Sequence, residues 1–318
     1  STDEPANSHL YPFRSAHGVD TRRWSAPRSW DALEVLECGG ILVQRRDQGS
    51  GASAFMADLG ILVIHGTGLK EESFAEPVKK HVNKQVRAMG VRANQLAWKS
   101  VFWADILKQS RSEYLSRARL DNDLDFLPLR EFIVSAVGDS AAYRPVDETR
   151  DDYDPAADTY ARIHSRVREA VASLHETLGG QDKPLVIMAH SLGSHIMSNY
   201  IWDMQHGAYA EPSPTNRFER LETLRAFITF GCPIPIFTFS KKNPMPITLP
   251  DGAIWENYYD PADVLAYPLR AINDAFAAAV SHDFPISVGG PLTKWNPLSH
   301  DEYWADPDQA EPIAHHIY

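Results

Sequence analysis

Residues 185–193 read Leu-Val-Ile-Met-Ala-His-Ser-Leu-Gly and join two different patterns of apolar residues. The first four form a short continuous apolar run, which is typical of a strand buried on both faces. Apolar residues then recur at helical spacing: Leu192, Ile196, Tyr200 and Met204. The stretch therefore predicts a buried strand that turns directly into an amphipathic helix.

Ser191 lies at the turn between this strand and this helix, with Ala189 and Gly193 two positions to either side. The arrangement matches the small-x-Ser-x-small pattern of a nucleophile elbow, with Ala where Gly is commoner. Small residues are required because the backbone on both sides of so sharp a turn approaches too closely for bulk. The hydroxyl then points out of the sheet at the positive end of the helix. We interpret Ser191 as a nucleophile, with a structural turn serine as the alternative.

The same alternation of strands and helices extends along the chain. Besides residues 185–188, apolar runs predict strands at 60–64, 96–103, 226–230 and 253–259, and a very short sixth at 286–288. Helical patterns lie at 158–178, 192–206 and about 268–281. Strands that alternate with helices favour parallel pairing. The fold class predicted is α/β, a mostly parallel sheet with helices on both faces.

Two regions depart from this rhythm. Residues 1–55 contain no lysine and show little periodicity, and we interpret them as an N-terminal extension or leader, with an arm covering part of the fold as the alternative. Residues 56–318 are predicted to form the α/β domain. Within it, a helical insertion at about 105–150 follows a strand and is either a cap over a site or an ordinary packed excursion.

A glycine turn, His65-Gly66-Thr67-Gly68, follows the first predicted strand directly. Glycines allow the backbone to turn its N–H groups towards a developing negative charge. With the elbow downstream, the expected oxyanion-hole donors are the backbone N–H groups of Thr67 and of Leu192, the residue after Ser191. The alternative is a plain glycine turn.

Composition excludes several classes of protein. The 318 residues include 31 Lys and Arg and 42 Asp and Glu, which gives a formal net charge of −11. So acidic a chain argues against nucleic acid as a partner, because a phosphate backbone needs a basic face. Two cysteines exclude a disulfide scaffold. No apolar run approaches the ~18 residues of a membrane helix, so we expect no membrane span.

Neither metal-ligand spacing nor a phosphate-binding glycine loop is found in the sequence. We therefore expect no metal and no cofactor. We also expect a cytoplasmic location, with a removed leader left open, and the oligomeric state is not predicted.

On the elbow and the glycine turn, residues 56–318 resemble the α/β-hydrolase superfamily, and among it the serine ester hydrolases of bacterial carboxylesterase or lipase type. The resemblance implies a triad in the chain order Ser, acid, His. Asp260-Pro-Ala-Asp263 follows a late strand and is similar to the family's acid-bearing turn. Asp263 is preferred over Asp260, because the second position is the commoner acid in such turns.

Asn296-Pro-Leu-Ser-His300 follows the last predicted strand and is similar to the family's histidine loop. The resemblance therefore makes His300 the preferred base among 13 histidines. The others considered precede the acid, precede the last predicted strand or lie within four residues of the end of the sequence: His65, His190, His195, His282, His315 and His316.

The resemblance implies hydrolysis of carboxylic esters through an acyl-enzyme on Ser191, with a small-molecule ester as substrate. We expect short to medium acyl chains to be preferred, because the insertion is charged and is expected to limit the depth of the pocket. Two alternatives remain open: a lipase or acyl hydrolase that acts at a lipid interface, and a non-catalytic binding protein on the same fold.

Overall fold

The structure of the protein is a computed structural model. It describes residues 57–68, 71–120, 122–145, 154, 157–207, 213–289, 297–306 and 310–317. The predicted N-terminal extension at 1–55 lies outside the described residues.

A sheet of six parallel strands organises the described part of the chain. The strands are β1 (Leu59–Ile64), β2 (Leu96–Val101), β3 (Leu185–His190), β4 (Leu224–Phe230), β5 (Ile254–Tyr259) and β6 (His282–Pro285). Their order across the sheet is β2-β1-β3-β4-β5-β6, and each neighbouring pair is parallel. The carboxyl ends of all six strands therefore meet at one edge.

Helices connect and cover the strands. They are α1 (Glu76–Ala88), α2 (Asp105–Leu120), α3 (Leu127–Ala142), α4 (Thr159–Thr177), α5 (Leu192–His206), α6 (Ile234–Thr238), α7 (Asp274–Ala279) and α8 (Ala310–Ile317). Short 3₁₀ helices occupy Ala93–Gln95 and Pro297–Ala305. Helices α2 and α3 lie in the predicted insertion. In the described ranges, no helix is both long and apolar enough to cross a bilayer.

Two apolar layers cover the two faces of the sheet, because alternate side chains of a strand point to opposite faces. On β1, Leu62 and Ile64 join a core that includes buried residues of α4 and α5. Ile61 and Val63 join a second core with residues of α1 and α8. The predicted α/β fold class, a mostly parallel sheet with helices on both faces, is confirmed.

Two predicted elements were misplaced near the far edge of the sheet. The sixth strand lies at His282–Pro285 and not at 286–288, and the helix predicted over 268–281 is only α7. The Asn273 side chain accepts a hydrogen bond from the Phe276 N–H at 3.0 Å and so begins α7 there. Upstream, the Asp283 carboxylate accepts the N–H groups of Leu269 and Arg270 at 2.9 and 2.8 Å, which holds that segment as a turn.

Candidate active site

Ser191 lies where β3 ends and α5 begins, in a backbone conformation that few non-glycine residues adopt. Its φ is 53° and its ψ is −129°. The Ser191 N–H donates to the Phe230 carbonyl of neighbouring β4 at 3.0 Å. Such strain persists only where the surroundings over-determine it, and it is concentrated at functional sites.

Two glycines make room for this turn. A Cβ on Gly66 would lie 2.4 Å from the Ser191 Cβ, and a Cβ on Gly193 would lie 2.5 Å from the His65 carbonyl oxygen. Both distances are far below van der Waals contact. The glycine turn after β1 and the elbow after β3 are therefore pressed together, and each requires glycine where it meets the other.

His300 stands between Ser191 and Asp263. Its Nδ1 is 2.7 Å from Asp263 Oδ2, and its Nε2 is 2.6 Å from Ser191 Oγ. A carboxylate only accepts, so Nδ1 carries the proton that it donates. Nε2 then presents its lone pair to the Ser191 hydroxyl, which donates. All three residues are buried, with 3%, 2% and 4% of Ser191, His300 and Asp263 exposed.

The two candidate carboxylates play different structural parts. Asp260 Oδ2 accepts the Val288 N–H at 2.8 Å, and its Oδ1 accepts the Ala262 N–H at 2.8 Å. Asp263 Oδ1 accepts the Leu265 N–H at 3.0 Å, which leaves Oδ2 directed at His300. The structure thus brings Asp263, and not Asp260, into contact with the imidazole.

Tyr303, which the sequence analysis did not identify, is a neighbour of Asp263. Its hydroxyl donates to Asp263 Oδ2 at 3.1 Å and accepts the Asp260 N–H at 2.9 Å. Burial, and then the charge of Asp263, raises the pKa of Tyr303 far above its ordinary value, so the hydroxyl stays a neutral donor. The only signal in the sequence is its position three residues after His300.

His190 and Gly231 hold His300 from behind. The His190 Nε2–H donates to the His300 carbonyl at 2.8 Å, and the two imidazole rings lie 4.9 Å apart. Gly231 has a φ of +60°, and a Cβ there would lie 3.2 Å from His300 Cε1. The position of the imidazole therefore depends on the residue before Ser191 and on the residue after β4.

The predicted oxyanion-hole donors, Thr67 and Leu192, directly follow Gly66 and Ser191, the two residues that lie against each other. Leu192 is the first residue of α5, so its N–H has no acceptor within the helix. Thr67 follows Gly66, the residue that lies against Ser191. His65 fixes the start of the glycine turn, because its Nε2 accepts the Trp103 N–H at 3.1 Å and its Nδ1–H donates to the Gly66 carbonyl at 2.7 Å.

The remaining candidate histidines have other contacts. His195 Nε2 is 3.2 Å from the Asn199 amide, and burial, with a smaller effect of Lys241, lowers the pKa of His195 to about 3. His282 is the first residue of β6. His316 lies in α8 with its Nε2 2.8 Å from Glu256. Across the described ranges, no cluster of three or more His, Cys, Asp or Glu side chains has the arrangement of a metal site.

No family model and no curated protein matches the chain. Several solved structures are similar to it. A protein described as a hydrolase of the α/β superfamily, from Xanthomonas campestris pv. campestris, is 15% identical over 79% of this chain and 98% of that one, with a TM-score of 0.34. An acetyl xylan esterase is 13% identical over 81% and 97%, with a TM-score of 0.36.

The esterase domain of a Rhodothermus marinus protein is 11% identical over 83% of this chain and 86% of that one, with a TM-score of 0.30. At such identities and TM-scores the likeness carries no argument about activity. The chemistry of this chain has to be inferred from its own side chains.

The close approach at Gly193 is testable through stability. Gly193→Ala is expected to lower the free energy of unfolding by about 1–3 kcal/mol, because the new Cβ forces the His65 backbone away. The control is Gly138→Ala on α3, where a Cβ would meet nothing within 4 Å. That variant should be neutral or stabilising by up to about 1 kcal/mol, since alanine is the better helix former. Urea unfolding measures both, and equal effects would contradict the steric explanation.

Proposed function

We propose that this chain is a serine hydrolase of the α/β-hydrolase type that cleaves small carboxylic esters through an acyl-enzyme on Ser191. The observation that carries the proposal is the buried hydrogen-bonded chain from Ser191 Oγ through His300 to Asp263, with links of 2.6 and 2.7 Å. The strained backbone of Ser191 supports it, because a structural turn serine needs no such conformation.

In the proposed mechanism, Ser191 Oγ attacks the ester carbonyl while His300 Nε2 takes the hydroxyl proton. Asp263 keeps the other nitrogen protonated and stabilises the imidazolium. The N–H groups of Thr67 and Leu192 stabilise the tetrahedral oxyanion. His300 then gives its proton to the leaving alkoxide, and the alcohol departs.

Deacylation repeats these steps with water. His300 takes a proton from the water as its oxygen attacks the acyl carbonyl, and it returns that proton to Ser191 Oγ as the acid is released. Neither half of the reaction needs a metal or a cofactor.

The role of Ser191 can be tested directly. Ser191→Ala should fold normally and lose several orders of magnitude in kcat on p-nitrophenyl acetate, because the nucleophile and its base act as a unit. A fluorophosphonate should label the unmodified protein once, at Ser191, as read by peptide mass spectrometry. Labelling of another serine would overturn the assignment, and absence of both turnover and labelling would favour a binding protein.

The two carboxylates give a matched pair of variants. Asp263→Asn should lower kcat about 10⁴-fold, because an amide no longer fixes the proton on His300 Nδ1. Asp260→Asn keeps one oxygen to accept a backbone N–H, so it should lower stability while kcat stays within about tenfold. Steady-state kinetics with thermal unfolding separates the effects, and the reverse order of kcat values would make Asp260 the acid.

Packing of the insertion supports a preference for short to medium acyl chains. Tyr143, at the end of α3, is buried, with its ring 5.8 Å from that of His195 and its hydroxyl 2.7 Å from His164 Nε2. Burial lowers the pKa of His164 to about 3, so this contact involves a neutral imidazole at pH 7. These contacts anchor the end of the insertion to α4 and α5, and we expect the anchored insertion to limit the depth of the pocket beside Ser191.

A lipase acting at a lipid interface is the second candidate, and one observation favours it. Apolar side chains four residues apart on α3 are exposed: Leu129, Ile133 and Val137. A helix that leaves such a stripe in solvent resembles those that lie on lipid surfaces.

A p-nitrophenyl ester series distinguishes the two candidates. For the esterase, kcat/KM should rise with each methylene by up to about 0.8 kcal/mol of transition-state binding and then stop at medium length, when the pocket is full. Emulsified long-chain triglycerides should be poor substrates. A rise through the longest chains, with a jump in rate above the solubility limit, would identify a lipase.

A further inference from the structure

Gly68, the last residue of the glycine turn, is held by two side chains of the insertion. Its N–H donates to Asp139 Oδ2 at 3.1 Å, and its carbonyl accepts from Arg111 Nη2 at 3.3 Å. Arg111 Nη1 lies 2.6 Å from both carboxylate oxygens of Asp139. Arginine, aspartate and one glycine backbone thus close a ring of hydrogen bonds.

The two charged side chains of this ring are buried, so a substitution that removes only one of them is expected to be costly. The side chains of Arg111 and Asp139 are 5% and 3% exposed. Burial raises the pKa of Asp139, while Arg111 and the Gly68 N–H oppose that rise. Loss of one partner would leave an uncompensated charge inside the protein.

The ring connects three parts of the fold. Arg111 lies on α2 and Asp139 on α3, whereas Gly68 belongs to the turn that follows β1. At the other end of that turn, the Trp103 side chain donates to the His65 carbonyl at 3.0 Å. Thr67 therefore lies between two residues whose backbones are both held by side chains.

We propose that Arg111 and Asp139 are positioning residues for the oxyanion hole. Asp139 binds the N–H of the Thr67–Gly68 peptide, and Arg111 binds the Gly68 carbonyl. Together they fix the backbone of Gly68 and, through it, the direction of the Thr67 N–H one peptide earlier. Gly68 has a φ of +104°. Because glycine has no Cβ to restrict its backbone, contacts from other residues are needed to hold that conformation. The proposal rests on the proposed function, since it assigns the ring to the same site.

The simpler alternative is that the pair only holds α2 against α3. The chain offers a matched control for this, because Arg119 and Glu131 also form an ion pair between these helices. Their side chains are 44% and 40% exposed. Arg119 follows Arg111 by about two helical turns on α2, and Glu131 precedes Asp139 by about two helical turns on α3.

The test compares two double variants, R111M/D139V and R119M/E131L, each of which removes both charges of its pair. For R111M/D139V, kcat on p-nitrophenyl acetate should fall about 10- to 100-fold with KM within about twofold. A lost oxyanion-hole donor lowers kcat by about 10²–10³, and a misdirected one should have a smaller effect. For R119M/E131L, both constants should stay within about twofold.

A second readout reports on the oxyanion hole itself. Phosphonylation by a p-nitrophenyl alkylphosphonate places a charged oxygen where the oxyanion forms, so its rate should fall in parallel with kcat in R111M/D139V. Equal kcat losses in both double variants, an unchanged kcat in R111M/D139V, or a change confined to KM would overturn the proposal. If R111M/D139V does not fold, Arg111→Lys replaces it, because lysine keeps a charge opposite Asp139 but lacks the fork that also reaches the Gly68 carbonyl. About a tenfold fall in kcat is expected, and an unchanged kcat would overturn the proposal.

Ser191→Ala run alongside separates this proposal from the function on which it rests. Activity that survives in Ser191→Ala overturns the proposed function. Activity abolished in Ser191→Ala but unaffected in R111M/D139V overturns only the positioning role.

Discussion

The backbone conformation of Ser191 is the constraint on which the rest of the site depends. A residue at φ 53° and ψ −129° needs support on every side, and the chain supplies it from separate elements. The Phe230 carbonyl of β4 binds the N–H, and Gly66 and Gly193 remove the bulk that would prevent the turn from closing. The core on both faces of β3 supplies the rigidity that this turn requires.

The parallel sheet explains why these supports meet in one place. In a parallel sheet, the segments that follow the strands all leave from the same edge, so residues far apart in sequence meet there. The glycine turn follows β1, Ser191 follows β3, Gly231 follows β4 and the turn with Asp260 and Asp263 follows β5. Strand order places β3 between β1 and β4, which brings the elbow between the segment with Gly66 and the segment with Gly231.

Much of this was predictable from the sequence, because local patterns carried it. The apolar run at 185–188 and the spacing of small residues around Ser191 predicted the sharp turn between β3 and α5. The resemblance to the α/β-hydrolases also nominated Asp263 and His300, and the structure places the His300 side chain between those of Asp263 and Ser191. Strand β6 was misplaced because it contains a single large apolar residue, Phe284, and lies at the edge of the sheet, where it pairs with β5.

The contacts that hold the site were not predictable, because they connect residues without a shared pattern. Tyr303 binds Asp263 across 40 positions, and Arg111 binds Asp139 across 28. Nothing in the composition of α2 or α3 distinguishes this buried arginine and aspartate from the exposed charges around them. Only the three-dimensional path of the insertion makes them partners of Gly68.

The long 3₁₀ segment that carries His300 also has a consequence for biosynthesis. His300 and Tyr303 contact Ser191 and Asp263 at sequence separations of 109, 37 and 40 residues. During synthesis, Ser191 leaves the ribosome before His300, 109 residues later, has been added to the chain. Under the proposed mechanism, the serine therefore stays chemically inert in the nascent protein. It becomes a nucleophile only when the 3₁₀ segment Pro297–Ala305 has brought His300 to it.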